Sequence, residues 1–235
     1  MSINGVFPID KWNFKSHSIL AGLPSRDAER ITAHMSNQHF SKGEIIFREG
    51  SFPPGIFFIR RGKVKKYQVD AEGNEQIIYV ANTGELIGYH ALLSEERYPD
   101  SASALEDSLI AFIPKEDFLE VLTTSEILSQ RLLKLLSHEF TVFANNVTLL
   151  ARRTVKERLA TQLVVMREKY KENYQPGMEV EINLSRDDLA SIVGTARENV
   201  VRILKGFKED GIIETRGRKI VVRDIHQLLK IANQL

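Results

Sequence analysis

Four glycines, Gly50, Gly62, Gly73 and Gly84, recur at intervals of 12, 11 and 11 residues. Between and beyond them lie short runs rich in β-branched and aromatic side chains, at 44–48, 55–60, 63–69, 76–80 and 109–113. Turn residues at that rhythm leave room for strands and not for helices of ordinary length, and predict a small antiparallel barrel or jelly roll. Asp70-Ala71-Glu72-Gly73-Asn74 predicts a hairpin turn within it, because Gly and Asn tolerate positive φ.

Helical patterns flank the glycine-punctuated segment. Pro24-Ser25-Arg26-Asp27 before Ala28, Ile31 and Met35 predicts a short helix, and Pro114-Lys115-Glu116-Asp117 opens another. A longer helix is predicted over residues 125–151. In it Leu132, Leu136, Phe140, Phe143, Val147 and Leu150 fall at spacings of 4, 4, 3, 4 and 3, close to a heptad seam. No neighbouring helix in sequence is available to cover the seam, so it points to a second copy of the chain; packing on the chain's own barrel is the alternative. Val155, Leu159, Leu163 and Met166 mark a further helix, residues 174–178 a loop and residues 179–183 a short strand. The expected fold class is α+β: a jelly-roll domain over 1–124, a dimerisation helix over 125–151 and a winged helix-turn-helix over 152–235.

Charge divides along the same lines. The chain of 235 residues has a formal net charge of +1. Residues 1–151 carry 15 Lys/Arg against 19 Asp/Glu, and residues 152–235 carry 17 against 12, so the total hides a balance of −4 and +5. A basic C-terminal third on an acidic body suits an anion-binding module. There is no cysteine, which excludes disulfides, thiolate-bound zinc, Cys nucleophiles and iron–sulfur clusters. No apolar run approaches the length of a membrane span and no signal-peptide pattern opens the chain, so the expected location is cytoplasmic, with no membrane partner.

The densest motif begins at Ser185. Ser185 with Asp188 three residues on is a loose capping box, and it opens a helix on Leu189, Ile192 and Val193. Gly194-Thr195 breaks that helix. A second runs over residues 196–208 on Val200, Ile203, Leu204 and Phe207, completing a helix-turn-helix. Ile212-Ile213, the basic turn Arg216-Gly217-Arg218-Lys219 and Ile220-Val221-Val222 then make a wing. Arg197, Glu198 and Arg202 share one broad side of the second helix. An Arg grips guanine O6 and N7 bidentately and a Glu accepts from cytosine N4, so these three are the expected base contacts. Ser185, Arg186, Arg216, Arg218 and Lys219 are the expected phosphate contacts. A solvated surface cluster of ions is the alternative for the three helix residues.

The segment from Leu184 through Gly194-Thr195-Ala196-Arg197-Glu198 to Arg202-Ile203-Leu204 resembles the DNA-binding segment of the Crp/Fnr transcription regulators. The resemblance extends over nearly the whole chain: the barrel is similar to their cyclic-nucleotide-binding domain and Leu132–Leu150 to their dimer helix. It implies a homodimer on a two-fold symmetric duplex site, base contacts at Arg197, Glu198 and Arg202, and RNA polymerase as a further partner of an activator. An enzyme of the cupin type is the rival from another class; its metal would need clustered His and carboxylate ligands, and His39 and His90 stand apart.

The same resemblance locates an effector pocket at Gly88, Tyr89, Arg97, Asp100, Ser101 and Thr141. Cyclic-AMP-binding members hold the ribose with a Gly-Glu pair and the cyclic phosphate with Arg-Ser-Ala. Here Tyr89 stands in place of the Glu and Asp100 in place of the Arg, and a carboxylate repels a phosphodiester that a guanidinium would grip. The expectation is therefore a barrel that does not bind cyclic AMP, its effector unidentified. The alternative is a cyclic-nucleotide-responsive activator in which Arg97, three residues earlier, reaches in from a rearranged loop. Without cysteine the iron–sulfur sensing of part of the family is excluded, and for haem the cassette offers His90 alone.

Overall fold

The computed structural model describes residues 7–13, 19–171 and 178–233. Its elements run α1 (Ser25–Ile31), β1 (Ser36–Phe40), β2 (Ile45–Phe47), β3 (Gly55–Arg61), β4 (Lys63–Val69), β5 (Glu75–Asn82), β6 (Leu86–Ile87), α2 (Tyr89–Ser94), β7 (Ser101–Ala104), β8 (Ser108–Pro114), α3 (Lys115–Thr124), α4 (Glu126–Arg152), α5 (Val155–Lys169), β9 (Glu181–Ile182), α6 (Arg186–Val193), α7 (Arg197–Glu209), β10 (Ile213–Arg216), β11 (Lys219–Val222) and α8 (Ile225–Ile231). The glycine rhythm is met: Gly50, Gly62, Gly73 and Gly84 all have positive φ. At Gly62, between β3 and β4, φ is +104° and an added Cβ would lie 2.1 Å from Ser108 Oγ, so only glycine fits the turn. Asp70 closes the β4–β5 hairpin by accepting from the backbone N–H of Glu72 and Asn74.

The strands form two four-stranded antiparallel sheets, ordered β1-β8-β3-β6 and β2-β7-β4-β5. The sequence reading missed β1, β6 and β7. Polar β1 (Ser-Asn-Gln-His-Phe) buries only Phe40, β6 has two residues, and β7 is small and polar, Ser-Ala-Ser-Ala. None carries the apolar alternation by which a strand is read; they are strands because β8, β3 and β4 offer them ladders.

The chain divides into two compact units, residues 14–140 and residues 1–13 with 141–235. This differs from the expected division at 124 and 151: α4 is one continuous helix, and each half belongs to a different unit. The expected loop at 174–178 lies, except for Met178, outside the described residues. In the barrel unit Leu128, Leu132 and Leu135 of α4 join Ile31 of α1, Ile56 and Ile113 of the sheet, and Phe118 and Val121 of α3 in one buried cluster. Leu132 is thus a core residue, 4% exposed, and not part of an open seam. The outward apolar stripe begins one residue later. Leu133 is 68% exposed, Phe140 76%, Val147 65% and Leu150 41%, with Leu136 and Phe143 half-buried between them. With Leu133 replacing Leu132 the spacings become 3, 4, 3, 4 and 3, a regular heptad pattern.

A charged pair is sealed in the barrel. Lys66 Nζ lies 3.0 Å from Asp100 Oδ2, with the two side chains 7% and 6% exposed. Removing one member of such a pair strands the other, so Asp100→Ala is expected to lower unfolding stability by about 3–5 kcal/mol, read by urea denaturation. The Lys66→Met/Asp100→Leu double variant is expected to recover most of that loss; a D100A variant as stable as the parent would contradict the pairing.

Candidate nucleic-acid interface

The helix-turn-helix is built from local signals. Ser185 caps α6: its Oγ accepts from the Asp188 N–H at 2.9 Å and donates to Asp188 Oδ2 at 2.6 Å. That hydroxyl, expected as a phosphate contact, is engaged in the cap in the free chain. Gly194 ends α6 with φ +69° and ψ +56°, the left-handed conformation that a glycine adopts without steric cost. α7 then buries Val200, Leu204 and Phe207, each worth about 1.5–3 kcal/mol.

Burying that face turns Arg197, Glu198 and Arg202 outward, where all three are exposed. Arg197 Nε lies 3.3 Å from Asp187 Oδ1, with those side chains 57% and 75% exposed; an ion pair so open to water is weak and yields easily to another partner. Arg202 donates to Asn199 Oδ1 at 3.0 Å, while Asn199 Nδ2 donates to Thr195 Oγ1 at 3.1 Å. Half-buried Asn199 therefore aims the Arg202 guanidinium. The sequence reading missed it because its role depends on rotamers.

Arg186 and Arg218 join the same surface. Arg186 donates to the Arg218 carbonyl at 3.0 Å, and Arg218 Nε donates to Asn183 Oδ1 at 2.7 Å. Neither meets a carboxylate among the described residues. Burial first, and then the neighbouring charge of Arg197, hold Arg186 below the usual guanidinium range. Two like charges pressed together are relieved by an anion between them.

The rest of the wing is different. Arg216 pairs with Glu214 at 2.7 Å and with Glu179 at 2.7 Å, Lys219 pairs with Glu181 at 2.5 Å, and Arg223 pairs with Glu179 and Glu214. Hydrogen bonds from Arg216 and then Arg223 pull Glu214 down to about 2; Glu181 is lowered chiefly by Lys219. Arg216 and Lys219, expected as phosphate contacts, are thus paired with carboxylates of their own chain when no DNA is present. The pairing glutamates stand on β9 and β10, or just before β9, and no spacing in the sequence announced the register that brings them together.

The junction between α4 and α5 is tied to the helix-turn-helix. Thr154 and Glu157 form a reciprocal capping box at the start of α5; its Thr-x-x-Glu signature was legible and was missed. Arg158, one residue on, donates to the carbonyls of Leu150 and Arg153 at 3.2 Å each and of Gly194 at 3.0 Å. One guanidinium thus ties the end of α4 and the corner after it to the turn that precedes the recognition helix.

The expected effector residues of the barrel unit are engaged within the fold. Tyr89 is buried, and its hydroxyl donates to Glu139 of α4, which also takes His90 Nε2 at 2.7 Å. Burial, then the Glu139 charge, push the Tyr89 phenol well above its ordinary value. Asp100 is held by Lys66. Ser101 Oγ accepts from the Glu49 N–H at 3.0 Å. Gly88 backs onto Tyr98, whose hydroxyl would stand 3.3 Å from an added Cβ. Arg97 lies at the surface, stacked 4.1 Å over Phe52 and donating to the Gly50 carbonyl at 2.7 Å. In this arrangement of the loop it does not reach inward. Thr141 is exposed on α4 and belongs to the other unit. Among the described residues no cluster of His and carboxylate side chains could hold a metal ion, and no helix is long and apolar enough to cross a membrane.

Comparisons with known proteins agree with this layout. A family model for the cyclic nucleotide-binding domain matches residues 37–125, and one for the Crp-like helix-turn-helix domain matches residues 157–231. The transcriptional activator protein anr of Pseudomonas aeruginosa is 30% identical over 191 residues, covering 81% of this chain and 78% of that protein. Electron transport regulator A of Shewanella oneidensis is 29% identical over 191 residues, covering 81% and 76%. Among solved structures, FixK2 from Bradyrhizobium japonicum superposes with a TM-score of 0.74 at 22% identity, over 84% of this chain and 96% of that one. The c-di-GMP responsive regulator CLP from Xanthomonas campestris gives a TM-score of 0.72 at 23% identity, over 86% and 100%. With both halves matched in order, and relatives that regulate transcription and are not enzymes, the chain belongs to the Crp/Fnr family of DNA-binding transcription regulators.

Proposed function

We propose that this protein is a cytoplasmic homodimer that reads a two-fold symmetric duplex site with Arg197, Glu198 and Arg202, and that its barrel does not bind cyclic AMP. The observation that carries the DNA reading is the open arc of α7, whose buried face sets these three side chains outward beside the paired cations Arg186 and Arg197. Arg186 and Arg218 supply the phosphate contacts. Selection of binding sites from random duplexes tests the reading, and a recovered consensus without two-fold symmetry would overturn it. Arg197→Ala is expected to relax preference at one position per half-site, at a cost of about 1–3 kcal/mol per bidentate contact. Arg218→Ala is expected to weaken all sequences alike and to lower the salt slope by about one per half-site, whereas Arg216→Ala leaves that slope unchanged.

The dimer rests on the heptad stripe Leu133, Leu136, Phe140, Phe143, Val147 and Leu150, which presents large apolar side chains to water at a spacing suited to a second α4. Phe140→Glu places a charge in the seam and is expected to give a monomer by sedimentation, with helix content retained. A dimeric F140E protein would move the interface elsewhere.

Support for the altered pocket is that the distinguishing groups are already satisfied: Tyr89 by Glu139, Asp100 by Lys66. Calorimetric titration with cyclic AMP and cyclic GMP is expected to show no binding heat. Micromolar binding of either would restore the cyclic-nucleotide-responsive reading.

A further inference from the structure

The outward arc of α7 contains one side chain that none of the polar readers explains. Val201 is 45% exposed, and among the described residues it is the one large apolar side chain exposed on α6 or α7. At about 100° per residue, Val201 sits about 40° around the helix from Arg197 and about 60° from Glu198. It therefore lies between the two, near the middle of the arc and within the first turns of the helix, the part that meets base edges. Nothing in the fold calls for a β-branched residue there. The apolar face of α7 is complete with Val200, Leu204 and Phe207, and an exposed valine is a poorer helix former than alanine.

The floor of the major groove carries one methyl group, the C5 methyl of thymine. Apart from small C–H edges such as cytosine C5–H, the other groups it offers are hydrogen-bond donors or acceptors. A branched aliphatic pressed against cytosine N4 or adenine N6 would strip water from a donor and return no hydrogen bond, which is costly. Against a thymine methyl it removes apolar surface from water on both sides. We propose, resting on the DNA reading above, that Val201 selects a thymine in each half-site through that methyl, next to the positions read by Arg197 and Glu198.

The test uses the full-length protein and the site recovered by selection. In a series of duplexes, each symmetry-related pair of thymines is replaced by deoxyuridine, which keeps every hydrogen-bonding group and lacks only the methyl. At one thymine position the parent is expected to lose about fourfold in affinity per half-site, the change that follows from burying one methyl-sized group. Val201→Ala is expected to bind the thymine and deoxyuridine duplexes equally at that position. Arg197→Ala is expected to keep the deoxyuridine sensitivity while losing its own base preference. Because Val201 is exposed and alanine favours helix, V201A retains the fold, as circular dichroism would verify. A selected site at which no deoxyuridine substitution separates the parent from V201A would overturn this inference and leave the DNA reading standing. Failure to select any site would overturn both.

Discussion

A carboxylate with almost no access to water fixes the rotation of the longest helix. Glu139 of α4 is 1% exposed, and a buried charge is tolerated only where its lone pairs are filled. The Tyr89 hydroxyl and His90 Nε2, both on α2, fill them. With Glu139 turned in, Leu128, Leu132 and Leu135 turn in with it and meet the barrel cluster. Leu133 and Phe140 must then face out, and because α4 continues unbroken to Arg152 the stripe runs on through Val147 and Leu150. The inner contact and the outer surface of α4 are two consequences of one set of hydrogen bonds.

Tyr89 also links this anchor to the residues of the proposed effector pocket. Tyr89, proposed to replace a ribose-binding acid, has its hydroxyl engaged by the long helix. Asp100 and Lys66 likewise form a closed internal pair. In the helix-turn-helix the economy of charge is reversed. Arg216, Lys219 and Arg223 are matched to Glu179, Glu181 and Glu214, while Arg197 has only an open contact to Asp187 and Arg186 and Arg218 meet no carboxylate among the described residues. The excess of basic residues after position 151 therefore overstates the cationic surface, and its placement matters more than its sum.

Much of this was legible beforehand. The turn glycines, the hairpin at Asp70–Asn74, the Ser185 cap, the Gly194 break and the wing turn at Gly217 are encoded in a few adjacent residues, where φ preferences and side-chain reach decide the outcome without distant help. The apolar stripe of α4 was read with Leu132, which is buried, where Leu133 is the outward residue, since both are leucine and differ only in which side of α4 meets the barrel. The three weak strands β1, β6 and β7 were missed because partners elsewhere in the chain impose them.

The sequence by itself determined the turns, the amphipathic helices, the barrel class and the residues that α7 presents, because each follows from backbone preference and hydrophobic period. Tertiary structure decided the destinations of the charges. Lys66 finds Asp100, Glu139 finds Tyr89 and His90, and Arg158 finds Gly194 across separations of 34, 50, 49 and 36 residues. Such pairings depend on which strand registers and helix faces are brought together. No local preference encodes that, yet in a low-dielectric interior it fixes whether a charged group binds a ligand or holds the protein together.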